Sequence, residues 1–122
     1  MEAAGAGSTV LVVDDDSALR LLCRVNLELE HYRVLEAATL QEATEALATE
    51  RIDVVLLDVH VGRDDGRRFL RDMRAQGNAV PVALFTGSSE VSDAEGELAG
   101  AVLPKPFPLE ELTAVVARLS GR

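Results

Sequence analysis

Two apolar runs in this chain stop abruptly at aspartate: Thr9-Val10-Leu11-Val12-Val13 ends at Asp14-Asp15-Asp16, and Ile52-Asp53-Val54-Val55-Leu56-Leu57 ends at Asp58. Val/Leu/Ile runs of this length predict strands covered on both faces, as in a parallel sheet packed between helices. In open sheets of that kind ligands bind just beyond the carboxyl ends of the strands. The repeated arrangement predicts carboxylates gathered on one edge of a buried sheet, where they can bind a metal or take part in phosphoryl chemistry.

The remaining segments fit the same scheme. After Asp16, Ser17 is expected to cap a helix running to about Glu30, with Ala18, Leu21, Leu22, Val25 and Leu29 toward the core and Arg20, Arg24 and Glu28 outward. Val34-Leu35-Glu36-Ala37 predicts a second strand, and Thr39 with Glu42 a capping box ahead of a helix carrying Leu40, Ala43 and Leu47. Beyond Asp58, a turn with Gly62 and Gly66 enters a third helix with Phe69, Leu70 and Met73 inward. Its arginines, Arg67, Arg68, Arg71 and Arg74, are expected to form a solvated face. Asp65-Gly66 is read as a turn, with Asp64 and Asp65 favoured at the positive end of that helix. Val82-Ala83-Leu84-Phe85 stops at Thr86, and Ala101-Val102-Leu103 stops at Pro104-Lys105-Pro106. Pro108 opens a last helix with Leu109, Leu112, Val115, Val116 and Leu119 at helical spacing. Ser88 to Gly100 is poor in apolar residues and predicts at most a short, poorly buried helix.

Strand and helix thus alternate five times with short connections, which predicts an α/β domain with a doubly wound parallel sheet. In such a sheet Asp14, Asp15, Asp58, Thr86 and Lys105 all lie on one edge. Carboxylates within a few ångströms repel one another and need a cation, and Mg²⁺ suits all-oxygen ligation. Asp14, Asp15 and Asp58 are the expected ligands. Asp58 is the expected nucleophile toward phosphorus, since it ends the central run where the other two acids can flank it. Lys105 supplies a compact positive charge for phosphoryl oxygens, and Thr86 one directed hydrogen bond.

From Val10 to Leu119 the chain resembles the receiver domain of bacterial two-component response regulators. The resemblance rests on Val10-Leu11-Val12-Val13-Asp14-Asp15-Asp16-Ser17, Val54-Val55-Leu56-Leu57-Asp58, Asp65-Gly66, Ala83-Leu84-Phe85-Thr86-Gly87 and Leu103-Pro104-Lys105-Pro106-Phe107, in that order and spacing. It implies a flavodoxin-like five-stranded parallel sheet in the order 2-1-3-4-5 flanked by five helices. It also implies that Asp58 is the phosphoacceptor, taking its phosphoryl group from a sensor histidine kinase or a histidine phosphotransfer protein. Mg²⁺ would be held by Asp14, Asp15, Asp58 and the His60 backbone carbonyl, with Thr86 and Lys105 on the phosphoryl oxygens and a cis bond at Lys105-Pro106. By the same resemblance the chain is not an enzyme beyond its own phosphorylation and dephosphorylation, and residues Ala18 to Val25 form the kinase-facing surface. The output would be a conformational switch near Thr86, read by a downstream protein.

Several positions depart from the family pattern. His60 stands where Asn, Arg or Met is frequent, so its imidazole is expected to tune phosphoryl hydrolysis. Gly62 stands where proline is frequent, which predicts a looser loop. Val102 replaces a Tyr or Phe whose ring couples to the threonine, so that readout is not expected here. The segment from Thr86 to Lys105 is shorter than usual, which bears on the family's dimer surface of helix 4, strand 5 and helix 5.

A length of 122 residues suits one domain, expected to span residues 9–119 behind a flexible tail at 1–8. Met1 to Ser8 lacks the basic start and apolar centre of a signal peptide, and Cys23, the sole cysteine, is expected to be a small buried hydrophobe. A net charge of −9 argues against direct nucleic acid binding or membrane docking. The expected setting is cytoplasmic, as a monomer or weak dimer. Two rival readings compete. A haloacid dehalogenase-like phosphohydrolase would use Asp14 as nucleophile, but needs a late acidic pair at a strand end, whereas Glu110 and Glu111 fall in a predicted helix. A receiver-fold binding module independent of phosphorylation would leave the five polar groups unused.

Overall fold

The computed structural model describes residues 7–87 and 91–121; the expected tail therefore lies mostly outside the described residues. The main sheet comprises β1 (Thr9–Val13), β2 (Arg33–Ala37), β3 (Val54–Asp58), β4 (Val82–Thr86) and β5 (Gly100–Pro104). All neighbours pair in parallel and the order is 2-1-3-4-5, as expected. The helices are α1 (Ser17–Leu29), α2 (Leu40–Thr49), α3 (Gly66–Ala75), α4 (Asp93–Ala99) and α5 (Leu109–Leu119). A two-residue antiparallel ribbon, His60–Val61 with Asp64–Asp65, lies between β3 and α3. Gly62 in its turn has φ +63°, a conformation closed to proline.

The period of two along each strand divides the core into two layers. Val10, Val12, Val54, Leu56, Ala83 and Phe85 pack with Cys23 and Leu27 of α1 and with Leu112 and Val116 of α5. Leu11, Val13, Val55, Leu57, Val82 and Leu84 pack on the other face with Ala43 of α2, Leu70 and Met73 of α3 and Ala99 of α4. Because both faces are covered, β1 and β4 are buried along their whole length.

Three local expectations are corrected. Asp16, rather than Ser17, caps α1: its carboxylate accepts from the amides of Ala18 and Leu19. The Thr39 hydroxyl accepts from Glu42 N as a cap should, but the Glu42 carboxylate reaches the amide of Ala38 instead of closing the box on Thr39. The largest correction concerns the orientation of α1. Cys23 and Leu27 are its buried residues, whereas Leu21, Leu22, Val25 and Leu29 are 58, 44, 48 and 70 % exposed. Helix α4 is short, as expected, and buries only Ala99.

Candidate functional site

Parallel register brings the ends of β1, β3, β4 and β5 to one edge of the sheet. Asp14 follows β1, Asp58 ends β3, Thr86 ends β4 opposite Pro104, and Lys105 follows β5. Lys105 N donates to the Thr86 carbonyl at 2.6 Å, which fixes the root of the lysine side chain beside β4. The Lys105-Pro106 bond is cis.

Oxygens of Asp14, Asp15 and Asp58 lie within 4.8 Å of one another, a spacing that could hold one metal ion. The Lys105 ammonium bridges two of them, donating to Asp14 Oδ2 and Asp58 Oδ2 at 3.1 Å each. Asp14 is buried, Asp15 is exposed and Asp58 lies between, so the cluster runs from the interior to solvent. Burial holds the Asp14 carboxyl above the usual carboxylate range; the Asp16 amide opposes this and the Asp58 charge adds to it. Burial would lower the Lys105 ammonium, but its hydrogen bonds to Asp58 and Asp14 carry it above the ordinary lysine value. Three hard oxygen donors around one opening fit Mg²⁺ in kind, since that ion favours carboxylates and retains waters.

The backbone around Asp58 is held from both sides, by β4 and by the start of α3. Val59 N donates to the Phe85 carbonyl, and Gly66 N donates to the Val59 carbonyl at 2.7 Å. A Cβ built on Gly66 would collide with the Asp58 carbonyl oxygen. Asp65-Gly66 is therefore more than the plain turn expected. Asp65 caps α3 through Arg67 N, and the bare glycine backbone seats against the loop carrying Asp58. Sequence reasoning missed that role, although an Asp-Gly pair seven to eight residues after an apolar run's terminal acid was its visible signal.

His60 N lies 3.4 Å from Asp58 Oδ1, and its side chain is exposed. The α3 arginines correct another expectation. Arg67 pairs with Asp65, Arg71 Nη1 reaches Glu95 Oε2 at 2.6 Å, and Arg74 donates to the carbonyls of Leu98 and Asn78. Their face is not simply solvated: two of them hold α4. Thr86 is buried, and beside it an open groove of about 720 Å³ runs between α4 and β5, bordered by Val91, Gly96 and Val102. Glu110 and Glu111 lie exposed in the first turn of α5, so no late acid pair stands at a strand end there. No helix among the described residues is long and apolar enough to cross a membrane.

Comparison with known proteins agrees with this geometry. The response regulator receiver domain family matches residues 10–117. Response regulator MprA of Mycolicibacterium vanbaalenii is 41% identical over 116 residues, covering 93% of this chain and 50% of its own length. The KDP operon transcriptional regulatory protein KdpE of Escherichia coli is 43% identical over 110 residues, covering 88% and 48%. The chain thus spans about half the length of these curated relatives. Among solved structures, the receiver domain of the Francisella response regulator 1452 superposes with a TM-score of 0.87 at 27% identity, covering 95% of this chain and 98% of that one. The Thermotoga maritima response regulator TrrA, solved in complex with Mg²⁺-BeF, gives 0.83 at 27% identity, with 92% and 98% covered. The family match covers nearly the whole folded unit, from β1 to α5, and the chain belongs to the response regulator receiver domain family.

Proposed function

We propose that residues 9–119 form a receiver whose Asp58 accepts a phosphoryl group from a histidine kinase or a histidine phosphotransfer protein. The observation that carries this reading is the Lys105 ammonium seated between Asp14 and Asp58, with Asp15 completing the acid cluster. In the transfer a carboxylate oxygen of Asp58 attacks phosphorus. The new O–P bond forms as the P–N bond to the donor imidazole breaks, and the imidazole nitrogen keeps the electron pair. Lys105 offers its charge to the phosphoryl oxygens, and the Thr86 hydroxyl offers a hydrogen bond. Asp14, Asp15, Asp58 and the His60 carbonyl would hold Mg²⁺, which when bound neutralises the carboxylates and the incoming oxygens. Support for that ion comes from the all-oxygen donor set and from the related TrrA, solved with Mg²⁺-BeF.

The new phosphoryl group would add about −1.5 to −2 charges beside Lys105 and Thr86. Movement of Thr86 toward it would then bias α4, the helix with the thinnest apolar anchorage. With an acidic surface the domain itself would signal through protein contacts, not nucleic acid, from a cytoplasmic setting. The apolar stripe of Leu21, Leu22 and Val25 on α1 is the surface offered to the phosphodonor.

The test is intact mass after incubation with Mg²⁺ and a small acyl phosphate, on wild type and Asp58→Asn. One phosphoryl adduct on wild type alone is expected. An adduct on both proteins would move the acceptor to another residue, with Asp14 the first to examine. No adduct on a wild type that binds Mg²⁺ and is also inert to histidine kinases would favour a phosphorylation-independent binding module.

A further inference from the structure

Arg20 was expected to project outward from α1, yet its side chain is only 16 % exposed. Its Nη1 donates to the Asp14 carbonyl at 2.7 Å, and its Nε donates to Glu36 Oε1 on β2 at 3.1 Å. The other Glu36 oxygen accepts from Arg24 Nη1 at 2.8 Å, and Arg24 also reaches Glu28 one turn along the helix. The Asp14 amide donates to the Ala37 carbonyl at 3.1 Å. Both backbone polar groups of Asp14 are thus tied to consecutive residues of the edge strand, one directly through Ala37 and one through Arg20 on Glu36. Asp14 Oδ1 is meanwhile fixed by the Asp16 amide at 2.9 Å, leaving Oδ2 toward Lys105 and Asp58.

We infer that Arg20, set by Glu36, is a positioning residue for the acid cluster: it holds the backbone of Asp14 so that the Asp14 and Asp15 carboxylates are presented to the metal already in place. This rests on the receiver reading above. The geometry supports a positioning role over plain surface pairing. A surface ion pair needs only two side chains, whereas here a largely buried guanidinium spends one donor on the carbonyl of a ligand residue and another on the opposite strand. Partners behind metal ligands usually matter because rigidly held ligands need less ordering when the ion arrives. Glu36 is held below the usual glutamate range by its hydrogen bonds to Arg24 and Arg20, so it remains an anion near neutral pH.

The test is Mg²⁺ titration by calorimetry on wild type, Arg20→Ala, Arg20→Lys, Glu36→Gln and the control Arg33→Ala. Arg33 begins β2, the strand that carries Glu36, and pairs with Glu50 at the end of α2, away from the site. Arg20→Ala is expected to weaken Mg²⁺ binding about tenfold or more, Glu36→Gln less, and Arg20→Lys to recover part of the loss. Arg33→Ala is expected to match wild type in Mg²⁺ affinity. The metal-free melting temperatures of the two alanine variants separate lost positioning from lost fold. If Arg20→Ala does not fold, Glu36→Gln carries the test, because the guanidinium stays and only its anionic anchor goes. Mg²⁺ affinity equal to wild type in the folded variants overturns the inference; a wild type that binds no Mg²⁺ overturns the receiver reading instead.

Discussion

The two ends of the sheet's active edge are built differently. Around β1 and β3, apolar residues fill both layers and Asp14 and Asp58 rise from strands that are almost wholly buried. Around α4 and β5, Ala99 and Leu103 are the buried residues, and the helix is held by polar contacts: the Ser92–Glu95 capping box, Arg71 on Glu95 and Arg74 on the Leu98 carbonyl. Apolar burial contributes roughly 1.5–3 kcal/mol per large side chain, while partly exposed ion pairs contribute ~1 kcal/mol or less. The acid half is therefore fixed, and the α4 half can shift at modest cost. A receiver needs both properties, one where chemistry is done and the other where the result is displayed.

Glycine substitutions give the sharpest contrast. Gly66→Ala drives a Cβ into the Asp58 carbonyl and is expected to cost about 3 kcal/mol in urea unfolding, with loss of phosphoryl uptake. Gly96→Ala in α4 meets only Val102 Cγ2 at 3.8 Å and should stabilise by about 0.5–1 kcal/mol, through helix propensity and a stiffer unfolded chain. Similar costs at both positions would erase the difference between the halves.

Asp14→Asn probes the charge stored in the fixed half. Because its folded carboxyl is raised, the native state keeps the proton to higher pH than the unfolded chain. The associated stability is present at low pH and is lost as pH rises from the unfolded value through the folded one. Asn removes that loss, so the metal-free variant should melt higher than wild type at pH 7, with a smaller difference at pH 5, and lose its stabilisation by Mg²⁺. Thermal melts with Mg²⁺ and with a chelator, at pH 5 and pH 7, read both effects.

Arg71→Ala addresses the other half. Global stability should change by less than about 1 kcal/mol, while hydrogen exchange at α4 amides quickens and that at β3 amides does not. The smallest effect is expected for His60→Asn. Phosphate loss from Asp58 should differ modestly between wild type and the variant, because residue 60 sets its amide toward Asp58 Oδ1 and carries an exposed side chain beside the acceptor. Equal rates in both proteins would leave the imidazole without a role.

The strands and their polar ends were readable because a doubly covered strand needs an unbroken apolar run and each run stops where the sheet meets solvent. The face of α1 was not. Leu19, Cys23 and Leu27 form one helical stripe and Leu21, Leu22, Val25 and Leu29 another, and periodicity cannot choose between two apolar stripes. The buried face is the one carrying the smaller Cys23, and the larger residues are left outward. Gly66, Arg20 and Arg74 escaped for another reason. Each acts on a backbone carbonyl outside its own helix, and carbonyls leave no trace in residue identity. The side chains of the cluster could be named in advance, but the parts that hold them could not.

Lys105 stands 91 residues after Asp14 and 47 after Asp58 along the chain it joins. During synthesis both acids leave the ribosome long before the cation that spans them, and β4 waits with an open edge until β5 arrives beside it. Closing the sheet and seating a cation between the acids thus both depend on the last strand. A nascent chain that stalls before Gly100 exposes an unpaired strand and a pair of uncompensated carboxylates together, and the segment from Gly100 to Lys105 relieves both.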